Sequence, residues 1–495
     1  MILCLIGHRY AYETENLCRV FFPGEKIHTI YCESESGDLR VVSRFCDGPS
    51  AAISAEVLEG GRRTAESGDV APGTSNGELE RLVCAALYDC LVRHTGRKPP
   101  WGMLTGVRPT KLMASLQTEL GESAAKAYFI DRLRVSPEKT QLAAEVAAAE
   151  HSLASVLRQN DCGVYISVPF CPSRCSYCSF VSHSITTGNA KKLLPAYIDN
   201  LCVEITETGD IAHNSGLQAA ALYIGGGTPT VLTAAQLDRV LTAALDAFPE
   251  MRGGEMTVEA GRPDTLDAEK LDVMKRRGVT RLSINPQSFS DDVLLKAGRG
   301  HSARETLLAY EAARAAGFDN INMDLIAGLP GDRPEGFMSS LEQTLALSTS
   351  NITVHALALK RASRLAGTAG SGDGEAAQAM IAASYPALKK RGYEPYYMYR
   401  QSLSPGNLEN TGWCKKGFGC LYNVMMIREC STVFACGAGA VTKLLDPDGR
   451  LSRVFNFKYP YEYNDRFGDI LQRKHSLRGI PLTGTSKAGG ELGAF

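Results

Sequence analysis

Hydrophobic and polar positions change rhythm along the chain. In the first fifty residues short apolar runs alternate with Gly-, Ser- and Pro-containing turns. The opening Met1-Ile-Leu-Cys-Leu-Ile-Gly-His-Arg9 reads as a first strand, and Ile27–Tyr31 and Leu39–Ser43 as further strand pieces. Residues 60–77 are polar and read as a loop. From Glu78 to His94 the apolar residues Leu79, Leu82, Val83, Ala86, Leu87, Cys90 and Leu91 recur at helical spacing. Lys98-Pro-Pro-Trp101 ends that pattern, and a second helix runs from Pro137 to about Arg158. Residues 1–158 thus read as an N-terminal α/β extension.

After Asp161 the alternation becomes regular. Gly163–Val168, Ala220–Ile224, Glu255–Glu259, Arg281–Asn285, Asn320–Asp324 and Ile352–Ala356 are six strand-like runs, separated by helical segments such as those around Lys191–Glu207 and from Ala234. Six β/α units in succession predict an α/β fold with a parallel sheet curved into a partial (β/α)6 barrel, here over residues 159–366. In such barrels functional groups gather at the carboxyl ends of the strands. From about Ser371 the alternation ends. A helix around Gly374–Arg391, the tyrosine-rich Tyr393–Tyr399 and Gly437-Ala-Gly-Ala440 belong to a C-terminal α+β domain, residues 367–495, placed to cover the substrate.

Composition narrows the picture little. At 495 residues, 44% hydrophobic and 22% charged, the chain reads as an ordinary globular protein. A net charge of −1 gives no support for nucleic acid as a partner, and no apolar stretch approaches a membrane span. Fifteen cysteines without secretory features point to a reducing, cytoplasmic setting in which most are free thiols.

The exception is Pro169-Phe-Cys171-Pro-Ser-Arg-Cys175-Ser-Tyr-Cys178-Ser-Phe180, directly after the first barrel strand. Its C-x3-C-x2-C spacing offers three thiolates from one loop, one short of a tetrahedral zinc site. A 4Fe–4S cluster held by Cys171, Cys175 and Cys178 keeps one iron open to another ligand. At the end of the second strand stands Gly225-Gly226-Gly227-Thr228-Pro229-Thr230. Three glycines allow close backbone approach and positive φ. Pro229 removes a donor and no phosphate-loop pattern follows, so carbonyls receiving an ammonium group fit better than N–H groups receiving a phosphate. Cys414, Cys420, Cys430 and Cys436 lack short ligand knuckles and read as structural thiols rather than a second metal site.

The cysteine loop and Gly-Gly-Gly-Thr-Pro resemble the radical S-adenosylmethionine enzymes, particularly the oxygen-independent coproporphyrinogen III oxidase family. Gly106-Val-Arg-Pro-Thr-Lys111, Val354–Arg361, Gly406-Asn-Leu-Glu-Asn410 and Gly437–Ala440 resemble its HemZ-type coproporphyrinogen dehydrogenases. The resemblance implies that the open iron chelates the amino and carboxylate groups of S-adenosyl-L-methionine. Electron transfer from the cluster, reduced by a donor such as a flavodoxin or ferredoxin, would cleave it to methionine and a 5′-deoxyadenosyl radical. Gly225, Gly226 and Gly227, with Thr228 beside them, and Glu259 would receive the methionine amino group. Arg299 would pair with its carboxylate, and Gln287 and Asp324 would hold the ribose hydroxyls. Tyr165 stands in the family's catalytic position ahead of the cluster. The implied reaction is oxidative decarboxylation of coproporphyrinogen III to protoporphyrinogen IX in haem biosynthesis.

Two departures keep alternatives open. Where the better-understood branch has a histidine after the first-strand tyrosine, this chain has Ser167, and in place of a fourth cysteine it has Phe180. Phe180 resembles the haem-chaperone branch, so a haem-binding chaperone is one rival. A radical methyltransferase that opens haem is another. His355, within the sixth strand, reads as a hydrogen-bonded structural histidine. Lys360, Arg361 and Arg364 could meet propionates or form a solvated turn, and Arg108 and Lys111 lie in a motif whose role the residues alone do not reveal.

Overall fold

The computed structural model describes residues 1–34, 37–178, 180, 183–358, 374–401 and 405–485. Lys360, Arg361 and Arg364 lie outside the described residues. The described chain divides into two compact units, Met1–Glu145 with Arg400–Glu409, and Val146–Tyr399 with residues 410–485.

The first unit holds a five-stranded sheet of order β2-β1-β3-β4-β5, built from β1 Ile2–Ile6, β2 His28–Ile30, β3 Leu39–Cys46, β4 Ala52–Glu59 and β5 Arg62–Asp69. β1 runs parallel to β2 and β3, while β3, β4 and β5 are antiparallel. β5 corrects the expected loop over residues 60–77. Its sequence has no apolar alternation, and it becomes a strand because Gly60 and Gly61, at φ of 54° and 83°, turn the chain back onto β4. Helix Ala11–Phe21 also stands where only strands were expected, burying Leu17, Cys18 and Phe21. Helix Asn76–Thr95 matches its apolar pattern, with Ser75 accepting from the Glu78 amide and Gly96 left-handed at the other end. Two unassigned motifs meet in this unit. The Arg400 guanidinium and the Asn407 amide both donate to the Leu104 carbonyl, at 2.7 and 3.2 Å, and the Arg400 backbone N–H donates to Val107 at 2.8 Å. Buried Glu409 accepts from Trp101 Nε1 at 2.6 Å and Lys139 Nζ at 2.5 Å.

The second unit is built on one long sheet. β6 Asp161–Val168, β9 Gln218–Gly226, β10 Glu255–Glu259, β11 Arg281–Ser283, β12 Asn320–Ala327 and β13 Asn351–Ala356 are the six predicted strands, all parallel and adjacent in chain order. β7 Phe170–Cys171 and β8 His183–Ser184 form a small separate ladder that carries the cysteine loop. β14 Glu394–Arg400 and β15 Glu409–Cys414 extend the sheet beyond β13, and β16 Val433–Cys436, β17 Val441–Leu445 and β18 Leu451–Phe455 extend it beyond β6. Cys420 directly precedes helix Leu421–Arg428, which separates it from Cys430.

Strand alternation explains the layering. In β6, Val164, Ile166 and Val168 are buried against helix Gly188–Asn214 and its neighbours, so Tyr165 and Ser167 face the other way. The crossover helices begin where sequence places good caps. Thr233 with Gln236 and Ser302 with Glu305 form capping boxes, and Asp267 caps helix Ala268–Arg276. Each of the six parallel strands from β6 to β13 consequently ends at the same edge as its neighbours, which is where the candidate chemistry lies.

Candidate active site at the carboxyl ends of the strands

Local hydrogen bonds shape the cysteine loop. The His183 amide donates to the Pro169 carbonyl and the Ile185 amide to Cys171, both at 2.9 Å, while the Ser176 amide donates to Ala297 at 3.0 Å. Thr228 Oγ1 donates to Cys171 Sγ at 3.5 Å. All three cysteines are free thiols, Cys175 buried and Cys171 and Cys178 half-buried. Cys178 is pushed up to about 11 by burial and by repulsion from Cys175 and Cys171, against the Phe180 amide, which lowers it. Among the described residues no three His, Cys, Asp or Glu side chains stand in finished metal-binding geometry. The late cysteines have separate partners: Cys420 faces Glu255, Cys436 faces Thr208 and Cys430 faces Ser431.

The glycine run lies beside that loop. The Gly227 and Thr228 amides donate to Val168 and Phe170 at 2.9 and 2.7 Å. A Cβ on Gly227 would lie 2.5 Å from the Phe170 carbonyl oxygen, and one on Gly225 would lie 2.9 Å from the Glu259 carboxyl carbon. Gly226 has φ of +105°, and a Cβ there would lie 2.8 Å from Ser167 Oγ. Backbone contact demands glycine at Gly227 and positive φ favours it at Gly226, whereas a Cβ on Gly225 would crowd the Glu259 carboxyl.

Glu259 ends β10 and accepts from Tyr223 Oη at 2.6 Å. Burial raises its carboxyl to about 7. The Tyr223 hydroxyl pulls it down and the Asp324 charge adds to the rise. Tyr165 stacks on Tyr223 and Tyr422, at 6.4 and 6.2 Å between ring centroids. Gln287, at φ of 66°, donates its amide to the Asp324 carbonyl at 2.8 Å, and its side-chain Oε1 is buried without a partner. Asp324 accepts from Asn322 Nδ2 at 2.7 Å and pairs with His355 Nε2 at 3.7 Å. Burial opposes the charge on both members of that pair. Their mutual attraction outweighs it, holding Asp324 below and His355 above the usual range.

Arg299 is buried and anchors the loop. Nη1 donates to Tyr177 Oη at 2.9 Å and approaches Cys175 Sγ at 4.0 Å, while Nη2 donates to the Gly261 and Asn285 carbonyls at 2.6 and 2.9 Å. Its Nε has no partner. A second arginine that the sequence reading passed over, Arg262, donates to Ser173 Oγ at 2.8 Å. His355, read from the sequence as a hydrogen-bonded histidine, stands between Asp324 and Asn410, whose Oδ1 lies 3.2 Å from His355 Nδ1. A polar residue at an alternate, inward strand position was the available signal for it. Nothing local marked Arg262, because its role depends on a loop 89 residues away.

Cysteine thiols, a cradle that admits no side chain, and unpartnered buried polar atoms on Gln287 and Arg299 are therefore set along one edge of a parallel sheet. That combination defines a class. The Radical SAM superfamily profile matches residues 165–343. The oxygen-independent coproporphyrinogen-III oxidase-like protein HemZ of Bacillus subtilis is 36% identical over 408 residues, 80% of each chain. Haem chaperone HemW of Escherichia coli is 29% identical, over 60% of this chain and 74% of its own. The solved structure of coproporphyrinogen III oxidase HemN from Escherichia coli superposes with a TM-score of 0.49 at 20% identity, over 69% of this chain and 75% of that one. The chain belongs to the radical SAM superfamily, in its oxygen-independent coproporphyrinogen-III oxidase-like branch of the HemZ type. The cofactors of that family are a 4Fe–4S cluster and S-adenosyl-L-methionine.

Proposed function

We propose that the protein oxidatively decarboxylates coproporphyrinogen III to protoporphyrinogen IX, converting two propionate side chains to vinyl groups. The observation that supports this reading over a chaperone is the extent of the likeness to HemZ, 80% of this chain, against 60% for HemW of Escherichia coli. Each conversion would pass one β-hydrogen to the 5′-deoxyadenosyl radical, release one CO2 and hand one electron to an external one-electron acceptor, using one S-adenosylmethionine. A flavodoxin- or ferredoxin-like donor would reduce the cluster. No helix among the described residues is long and apolar enough to cross a membrane.

The residues present fit the cofactors. Cys171, Cys175 and Cys178 would hold the cluster, and three thiolates leave one iron for S-adenosylmethionine. Gly225, Gly226 and Gly227, packed against Glu259, Ser167 and Phe170, would present backbone to its amino end, with Thr228 beside them and Glu259 ionised above about pH 7 to receive its protons. Arg299 would meet the methionine carboxylate through Nε, the one nitrogen its loop contacts leave unpartnered. Gln287 Oε1 and Asp324 would hold the ribose hydroxyls, with His355 fixing the Asp324 carboxylate as an anion. Tyr165, packed beside the stacked pair Tyr223 and Tyr422, would line the reaction chamber and exclude water. Bound together, cluster and S-adenosylmethionine supply the radical that takes the propionate hydrogen.

An anaerobic assay of the reduced, cluster-loaded protein with coproporphyrinogen III and S-adenosylmethionine tests the reading. Formation of protoporphyrinogen IX is expected. Tight haem binding without turnover would replace it with the chaperone reading, which the HemW likeness and exposed Phe180 favour. A linear tetrapyrrole made from haem would replace it with the ring-opening methyltransferase.

A further inference from the structure

We propose that Arg262 and Asp264 together set the charge felt at the cysteine loop, so that Arg262 raises the reduction potential of the cluster bound there. The proposal rests on the assignment of Cys171, Cys175 and Cys178 to a cluster. Arg262 follows β10 in Glu259-Ala-Gly-Arg262-Pro-Asp264 and is only 4% exposed. Its Nη1 donates at 2.8 Å to Ser173 Oγ, inside the Cys171–Cys175 stretch, and its Nε and Nη2 hold both oxygens of Asp264 at 2.9 and 2.8 Å. Gly300 makes room for this fork, since a Cβ there would lie 3.1 Å from Arg262 Nη2.

The pair is not electrically neutral from the loop's side. Arg262 is buried and touches the loop, whereas Asp264 lies on the far edge of the guanidinium with its side chain 22% exposed. Water screens the aspartate more than the arginine. Two further cations stand here: Arg299 touches the loop at Tyr177 and Cys175, and Arg174 lies within it and acts on Cys178. Burying a guanidinium has a desolvation cost that a neutral donor to Ser173 would avoid, so the charge itself needs a reason. A 4Fe–4S core on three thiolates passes from a net charge of about −1 to about −2 on reduction. A fixed positive charge in a low-dielectric shell stabilises the more negative state, and an uncompensated negative charge opposes it.

The test uses the full chain, reconstituted anaerobically, with cluster iron counted and the midpoint potential followed by absorbance and electron paramagnetic resonance. R262Q keeps a donor for Ser173 but strands Asp264, so its midpoint falls below wild type. D264N strands Arg262, so its midpoint rises. R262K keeps the charge and loses the fork, so its midpoint stays near wild type even where cluster retention drops. Opposite shifts in R262Q and D264N support the proposal, because a merely structural role would not reverse sign between them. Shifts of the same sign, or none at equal iron content, overturn it. Should R262Q fail to hold iron, a raised midpoint in D264N beside an unchanged one in R262K supports the proposal, and an unraised midpoint in D264N overturns it. A wild-type protein that takes up no cluster iron would overturn the cysteine assignment instead, before any variant is compared.

Discussion

Glu259 offers a quantitative test of the site that needs no cofactor. Its carboxyl rises from 4.5 to about 7 through burial, the Tyr223 bond notwithstanding, with Asp324 adding repulsion. Between those two values the folded protein holds a proton on Glu259 that the unfolded chain has released. The folded state therefore binds more protons, and stability falls as pH rises from 4.5 through about 7. Above that window the whole term is lost, on the order of 3 kcal/mol from about 1.4 kcal/mol per unit. E259Q removes the titration while leaving an amide oxygen for the Tyr223 hydroxyl, and it remains neutral throughout. Urea unfolding of the metal-free protein should then give matching stabilities for wild type and E259Q near pH 5. Near pH 8.5 the variant should be more stable, by up to that amount. Because Asp324 is ionised in both proteins, the difference reports Glu259. An E259Q advantage that is absent at high pH, or greatest at low pH, would refute the claim that burial and the Asp324 charge hold the Glu259 carboxyl up.

Three further outcomes follow from particular contacts. G227A places a Cβ against the Phe170 and Val168 backbone, which cannot move aside as a side chain would. It should cost about 1–3 kcal/mol, visible in thermal unfolding, and abolish S-adenosylmethionine binding by calorimetry. Glu204 is fully buried and accepts from the Gly437 amide, Asn456 and Tyr463 at 2.7–2.8 Å, with Lys474 Nζ 3.3 Å away. E204A strands that ammonium and should lose about 3–5 kcal/mol, against a much smaller loss for E204Q, measured by denaturant midpoint. His355 gains a proton-dependent partner in Asp324, which raises it above 6.5. Its contribution is therefore complete below pH 6.5 and lost as pH rises through the higher folded value, so the stability gap between wild type and H355Q should narrow with rising pH.

The strands of the parallel sheet were legible because crossover helices force a regular alternation and bury one face of each strand continuously. The edge strand β5 was not legible. Its residues are polar on both faces, and only the register with β4 makes them a strand. Helix Ala11–Phe21 was missed for a related reason: a short apolar run does not reveal its period until something packs on one side.

The cysteine loop and glycine run could be read from spacing alone, because each packs its chemistry into a few consecutive residues. Sequence by itself determined that three thiols and a side-chain-free cradle follow the first two strands. Tertiary structure decided how the dispersed residues are shared out. Arg299 spends its Nη groups on the loop and keeps only Nε unpartnered, His355 belongs to Asp324, and Arg262 reaches Ser173 across 89 residues. Local pattern fixes what a segment can be, whereas partners brought together by a parallel sheet are set by register and strand order, which no short window contains.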